Sequence, residues 1–210
     1  MKNMYRVIFV DWDGTLSNSR FWKRWSKEPE HQLKYNLIQK VLFQNVNDLV
    51  QNWMLGFYPT ASVVSYLADN TGLSYEELIK ELHYSSEHME FIDKNAINKI
   101  QSIRKQGTKV VIATDNMDTF RHWTMPALSI DDLFDGVLIS DTRGAFKSQA
   151  DDIGTSLFFH HYLTQNNIKP GETVLIDNSI SNKVVENFGI DFLHVTPQNS
   201  LADHLSSLRS

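Results

Sequence analysis

Asp11 and Asp13 stand one residue apart at the end of an apolar run, in the stretch VIFVDWDGTLSNS from Val7 to Ser19. Carboxylates this close repel each other unless a cation, a shared proton or strong hydrogen bonds offset the charge. The chain has no cysteine, and no histidine lies near the pair in sequence. The available ligands are therefore oxygens, which suit a hard ion such as Mg²⁺, held at about 2.0–2.1 Å with several waters retained. Gly14 frees the backbone to turn directly after the pair and lets amide N–H groups approach an anion. Other apolar runs also end in polar groups of catalytic type: Thr114 and Asn116 in one case, Asp177 and Asn178 in another.

Those residues need elements to bring them together. Four runs rich in β-branched residues, Arg6 to Asp11, Lys109 to Asp115, Val137 to Ser140 and Thr173 to Asp177, read as strands. Their near-continuous hydrophobicity predicts a parallel sheet covered on both faces, with a fifth strand at Phe192 to Val195 on an edge. Helices are predicted at Asn95 to Gln106, ended by Gly107, and at Asp118 to Leu128, Asp151 to Gln165 and Ile180 to Phe188. This alternation from residue 95 onward gives an α/β fold with a Rossmann-like, doubly wound parallel sheet. Residues Arg20 to Phe91 break it, carrying helix-period apolar patterns (Leu33, Leu37, Val41; Val46, Leu49, Val50, Trp53; Val63, Val64, Leu67; Leu78, Leu82) and no clear strand. Within them Asn70 to Gly72 reads as a turn, and Ser74 with Glu77 as a capping box opening a helix. The expected division is an α/β core of residues 1–18 and 94–210 with an inserted all-helical domain over 19–93. Ligands of open α/β sheets bind beyond the carboxyl ends of the strands, so this fold gathers Asp11, Asp13, Thr114 and Asp177 at one crevice.

With those residues in place the chain resembles the haloacid dehalogenase-like superfamily, whose members are mostly phosphatases with an aspartate nucleophile. Asp11-Trp12-Asp13-Gly14-Thr15 matches the first motif, DxDGT; Thr114 matches the second, a hydroxyl closing a strand; Lys147 resembles the third-motif lysine and Asp177 the acidic fourth motif. The resemblance implies that Asp11 attacks phosphorus and forms an aspartyl phosphate, and that Asp13 acts as general acid and then base. It further implies Mg²⁺ on Asp11, Asp177 and the Asp13 backbone carbonyl, with Thr114, the Asp115 N–H and Lys147 on the phosphoryl oxygens. Gly14 and Asn116 join Asp115 as expected substrate contacts, although Asn116 equally suits a turn. Arg143 and Lys183 are alternatives to Lys147. Asp177 has a plainer alternative, capping the helix after it. Asp13 favours phosphate esters, because the family's dehalogenases lack a second acid: a halide leaves without a proton. The insertion resembles a helical cap hinged near Ser17 to Ser19 and Glu90 to Asn95. The fourth motif departs from the family in offering Asn178, Ser181 and Asn182 where a second carboxylate is usual, which predicts weaker Mg²⁺ binding.

The expected activity is thus Mg²⁺-dependent removal of phosphate from a small phosphorylated metabolite. A phosphosugar mutase using the same site, and a binding or regulatory protein with a degenerate site, are the rivals. A net charge of −5 over 210 residues argues against nucleic acid or an anionic membrane as main partner. No run approaches the roughly 20 apolar residues of a membrane span. The N-terminal apolar run is too short for a signal peptide, so the cytoplasm is expected, and a homodimer is compatible with the sequence. Trp22, Trp25 and Trp53 read as helical core. The run Arg20, Lys23, Arg24 and Lys27 reads as a solvated helix face rather than a ligand site. His160 and His161, adjacent on a predicted helix, point to different sides and do not share a metal.

Overall fold

A computed structural model describes residues 5–45 and 48–208; Val46, assigned above to a helical pattern, lies outside them. Five strands, β1 (Val7–Val10), β2 (Lys109–Thr114), β3 (Val137–Ile139), β4 (Thr173–Asp177) and β5 (Asp191–His194), form one parallel sheet in the order β3-β2-β1-β4-β5. The three middle strands are buried on both faces, as their unbroken hydrophobicity requires. Period-two alternation divides their side chains between two cores. Ile8, Val10, Ile112 and Ile176 pack on one face with Ile100 and Leu205, while Phe9, Val111 and Leu175 pack on the other with Phe159, Leu163 and Val185. This is the doubly wound α/β architecture expected, with the helical segment inserted after β1.

The helices are α1 (Lys23–Lys27), α2 (Gln32–Lys40), α3 (Leu49–Met54), α4 (Thr60–Thr71), α5 (Tyr75–Glu87), α6 (Lys94–Lys105), α7 (Met125–Ala127), α8 (Ile130–Leu133), α9 (Ser140–Arg143), α10 (His160–Gln165), α11 (Lys183–Phe188) and α12 (Leu201–Ser207). Helix α6 behaves as its sequence predicts. Asp93 caps it by accepting a bond from Asn95 N at 2.7 Å, and Ala96, Ile100 and Ile103 face the sheet. Three predicted helices differ. The one expected over Asp151 to Gln165 begins only at His160, because Asp151 Oδ1 accepts bonds from Ile153 N and Thr155 N and folds the chain into a turn. The segment after Asp118 is wound as a π-helix over Phe120–Thr124 before α7, where Pro126 has no N–H to give a regular turn. The last starts at Lys183 rather than Ile180, with Asn182 as its cap. The turn read at Asn70 to Gly72 is shorter than expected: α4 runs through Thr71, and only Gly72 turns left-handed.

Helices α1 to α5 enclose a separate apolar cluster built around Trp22, Trp25, Trp53, Val64, Leu67 and Leu82. Met117, from the loop after β2, inserts into this cluster. The helical lobe also bonds to the carboxyl edge of the sheet. Asp118 accepts from Trp53 Nε1 at 2.9 Å, from Thr60 N at 3.0 Å and from the Thr60 hydroxyl. Ser140 Oγ donates to Met54 O at 2.6 Å. Gly56 adopts a left-handed φ of 76°, and a Cβ there would stand 2.4 Å from Asp141 O, so only glycine permits this approach.

Candidate active site

Strand pairing sets the site. Val10 is level with Ile112 and with Ile176, so one further step along β1 and β4 places Asp11 beside Asp177. Asp11 N donates to Ile176 O at 2.9 Å, which carries the pairing to the last residue before the turn. Trp12 then points into the core against Phe91 and Phe120, at ring-centroid distances of 5.6 and 5.0 Å. Its carbonyl accepts from the N–H groups of Thr15, Leu16 and Ser17, closing a tight loop. Gly14 has φ 80°, and a Cβ on it would meet Asn178 Nδ2 at 2.1 Å. The loop after β1 and the loop after β4 therefore pack closely at Gly14, where the left-handed φ and the Asn178 amide both favour glycine.

Lys147 ties the site together. Its Nζ lies 2.5 Å from Asp11 Oδ1 and 2.5 Å from Asp177 Oδ2. Its backbone N donates to Asp115 Oδ1 at 3.0 Å, which fixes the loop after α9 that carries it. Among the described residues Arg143 and Lys183, the alternatives weighed from sequence, form no ion pair with either aspartate, whereas Lys147 is 5% exposed and pairs with both. Three carboxylates, those of Asp11, Asp115 and Asp177, thus surround one ammonium. Burial lowers the Lys147 pKa, but Asp11, Asp177 and Asp115 more than offset that and hold it above the usual lysine value. Burial raises the Asp11 pKa to about 7, against the attraction of Lys147 and with a further push from Asp177. Asp115 is raised for the same first reason. Burial also opposes ionisation of Asp177, but Lys147 and the bond from Ser179 N at 2.7 Å outweigh it and leave its pKa lowered. Asp177 does not cap the following helix; Asn182 does.

Thr114 ends β2 with its side chain fully buried, and among the described residues neither its hydroxyl nor the buried Thr15 hydroxyl has a hydrogen-bond partner. Orphaned donors of this kind are costly unless a ligand satisfies them. The oxygen-only donors around Lys147 fit a hard divalent ion once their carboxyls are ionised. Among the described residues no three histidine or acidic side chains are preassembled around a metal position. Asp11 and Asp177 are the side chains placed to hold such an ion, leaving the remaining positions to main-chain oxygens, water or substrate.

The Asp13 carboxylate is half-exposed and pairs with the Arg20 guanidinium; partial burial raises its pKa against the attraction of Arg20 and, more weakly, of Lys147. Asn116 serves the loop: its Oδ1 accepts from Met117 N at 3.0 Å, and its N donates to Ser140 Oγ at 2.9 Å. Asn178 and Asn182 do not replace the missing carboxylate, the first lying against Gly14 and the second capping α11. Sequence reasoning did not assign a role to the Thr15 hydroxyl, to Arg20 beside Asp13, or to Ser140 beneath Asn116. Of these only Thr15 had a signal, its place in DxDGT.

No family model matches the chain, and no curated protein does. Solved structures do match over most of their length. A protein described as a predicted HAD-like family hydrolase from Porphyromonas gingivalis shares 20% identity at a TM-score of 0.70, covering 91% of each chain. A HAD family enzyme from Bacteroides thetaiotaomicron, solved with magnesium and inorganic phosphate, shares 16% identity at 0.64 over 91% of this chain and 94% of that one. L-2-haloacid dehalogenase from Xanthobacter autotrophicus shares 17% identity at 0.64 over 97% and 83%. The chain therefore has the haloacid dehalogenase-like fold, a fold that hosts both kinds of neighbour.

Proposed function

We propose that this chain, built on the haloacid dehalogenase-like fold, is a hydrolase of small phosphomonoesters that works through a phosphorylated Asp11. The observation that carries this reading is Lys147 Nζ at 2.5 Å from both Asp11 and Asp177, with the unpartnered Thr114 hydroxyl at the end of the neighbouring strand β2. Lys147 grips one oxygen of Asp11 and so orients the other toward the reacting centre. That oxygen attacks phosphorus as the ester P–O bond breaks, and the leaving alkoxide takes a proton from Asp13. Asp13 then removes a proton from water, the water oxygen attacks phosphorus, and Asp11 departs as a carboxylate with inorganic phosphate. Thr114 Oγ1 and Lys147 bind the phosphoryl oxygens throughout. Asp11 and Asp177 would hold a Mg²⁺, which would supply charge stabilisation between the phosphate dianion and the nucleophile. The nearby helical lobe supports its reading as a cap that excludes bulk water.

Asp13 favours phosphate over halide chemistry, since a departing halide needs no proton. A phosphate-release assay across phosphorylated metabolites with Mg²⁺ tests the proposal. Asp11→Asn is expected to reduce turnover on the order of a thousandfold or more, and full retained activity would place the nucleophile elsewhere. Halide release from 2-chloropropionate, in the absence of phosphatase activity, would transfer the site to the other reaction.

A further inference from the structure

The run Arg20, Lys23, Arg24 and Lys27 is exposed, as its sequence predicts, and it lines one open cavity of about 620 Å³. Its walls come from both chain crossings between the lobes, at Asn18 to Arg20 and at Glu90 to Ile92, and from α5. The guanidinium of Arg24 is fixed there: it pairs with the carboxylate of Glu81, which is 2% exposed, and sits 4.5 Å from the centroid of the Tyr84 ring. His88 stacks on Tyr84 with ring centroids 4.0 Å apart. Glu81 offsets the charge of Arg24, and Asp13 that of Arg20. Among the described residues neither Lys23 nor Lys27 is in an ion pair. Glu90 is the one acidic residue lining the cavity. A concave basic wall on a chain of net charge −5 concentrates positive potential at one place.

We propose that this cavity receives a second anionic group, a phosphate or a carboxylate, carried on the leaving-group part of the substrate, with Lys23 and Lys27 as its charge partners. The inference rests on the phosphomonoester reading, because it places the leaving group beside Asp13. Arg20 joins the two places: its guanidinium pairs with Asp13 and its side chain lines the cavity. The volume suits a small metabolite. A second cavity of about 570 Å³ also borders Arg20, but its lining includes Leu16, Val195, Pro197 and Leu201 and no lysine. The anionic tail of a leaving alcohol protonated by Asp13 has its charge partners in the first.

A three-carbon series tests this: propyl phosphate, 3-phosphooxypropanoate and propane-1,3-diyl bisphosphate, differing only in a neutral, carboxylate or phosphate tail. Wild-type kcat/KM is expected to favour a tailed anion by about tenfold or more, as for charge-assisted hydrogen bonds. Lys23→Ala/Lys27→Ala is expected to abolish that preference and Lys23→Arg/Lys27→Arg to restore it. Equal kcat/KM across the series, or a preference that survives the alanine pair, overturns the subsite. The two tailed compounds separate carboxylate from phosphate recognition. If no compound is hydrolysed, calorimetric binding of the same series decides separately. A tail-dependent Kd lost in the alanine pair keeps the subsite while the hydrolase reading falls, and a tail-independent Kd removes the subsite.

Discussion

Asp11 is more strained electrostatically than its neighbours. Its folded pKa of about 7 exceeds the ordinary aspartate value of 3.8, so the folded protein holds a proton there that the unfolded chain has released. Stability contributed by this group is present at low pH and is lost as pH rises through the interval from about 4 to 7. Thermal melts of the metal-free protein should show that decline, and Asp11→Asn should flatten it. Mg²⁺ should raise the melting temperature more at pH 8 than at pH 5, since only the ionised carboxylate binds it well. Lys147→Met is expected to destabilise the protein by about 3–5 kcal/mol at neutral pH, because it leaves buried carboxylates unpaired. The acidic pair, the strand-end threonine and the lysine were legible because each sits in a short local pattern. Arg20 was not. Its partner Asp13 lies across a tight turn held by bonds to the Trp12 carbonyl and by the left-handed Gly14, a path that charge pattern alone does not announce. Gly14→Ala combines a positive φ with a clash against the Asn178 amide and should lower activity sharply, while Gly14→Ala/Asn178→Ala should recover part of it.

At the level of elements, Asp118 is the joint between helical lobe and sheet. One carboxylate accepts the Trp53 indole N–H, the Thr60 amide and the Thr60 hydroxyl. Asp118→Ala leaves these donors without their acceptor and should cost about 1–3 kcal/mol. Amide exchange confined to residues 49–60 is the readout, with protection in the sheet retained. Nothing local announced this bond, whose partners are 58 and 65 positions away. Strands and the sheet-facing helix α6 were legible, since burial on both faces and a period near 3.6 leave marks in short windows. The residues before α10 were misread: their apolar content is helical, but Asp151 bonds locally to two backbone amides and wins. Helix α12 was overlooked although Ser200 and Asp203 form a reciprocal cap at its start.

Across the whole molecule the chain passes between lobes twice, and the two passages are fastened to each other. Ser17 Oγ donates to Glu90 O at 2.7 Å, Glu90 N donates to Ser19 Oγ at 3.0 Å, and Ile92 N donates to Leu16 O at 2.9 Å. A segment of some seventy residues thus departs and returns at a single seam, so its two ends already meet at bonding distance. Such a segment is a detachable roof: a short glycine bridge from Ser19 to Glu90 would reseal the floor beneath it without stretching β1 or α6. That shortened chain, with Met117 and Trp123 made polar where the roof had covered them, should still melt cooperatively in circular dichroism. An unfolded product would mean that the sheet cannot stand uncovered, whereas a folded one would admit bulkier esters.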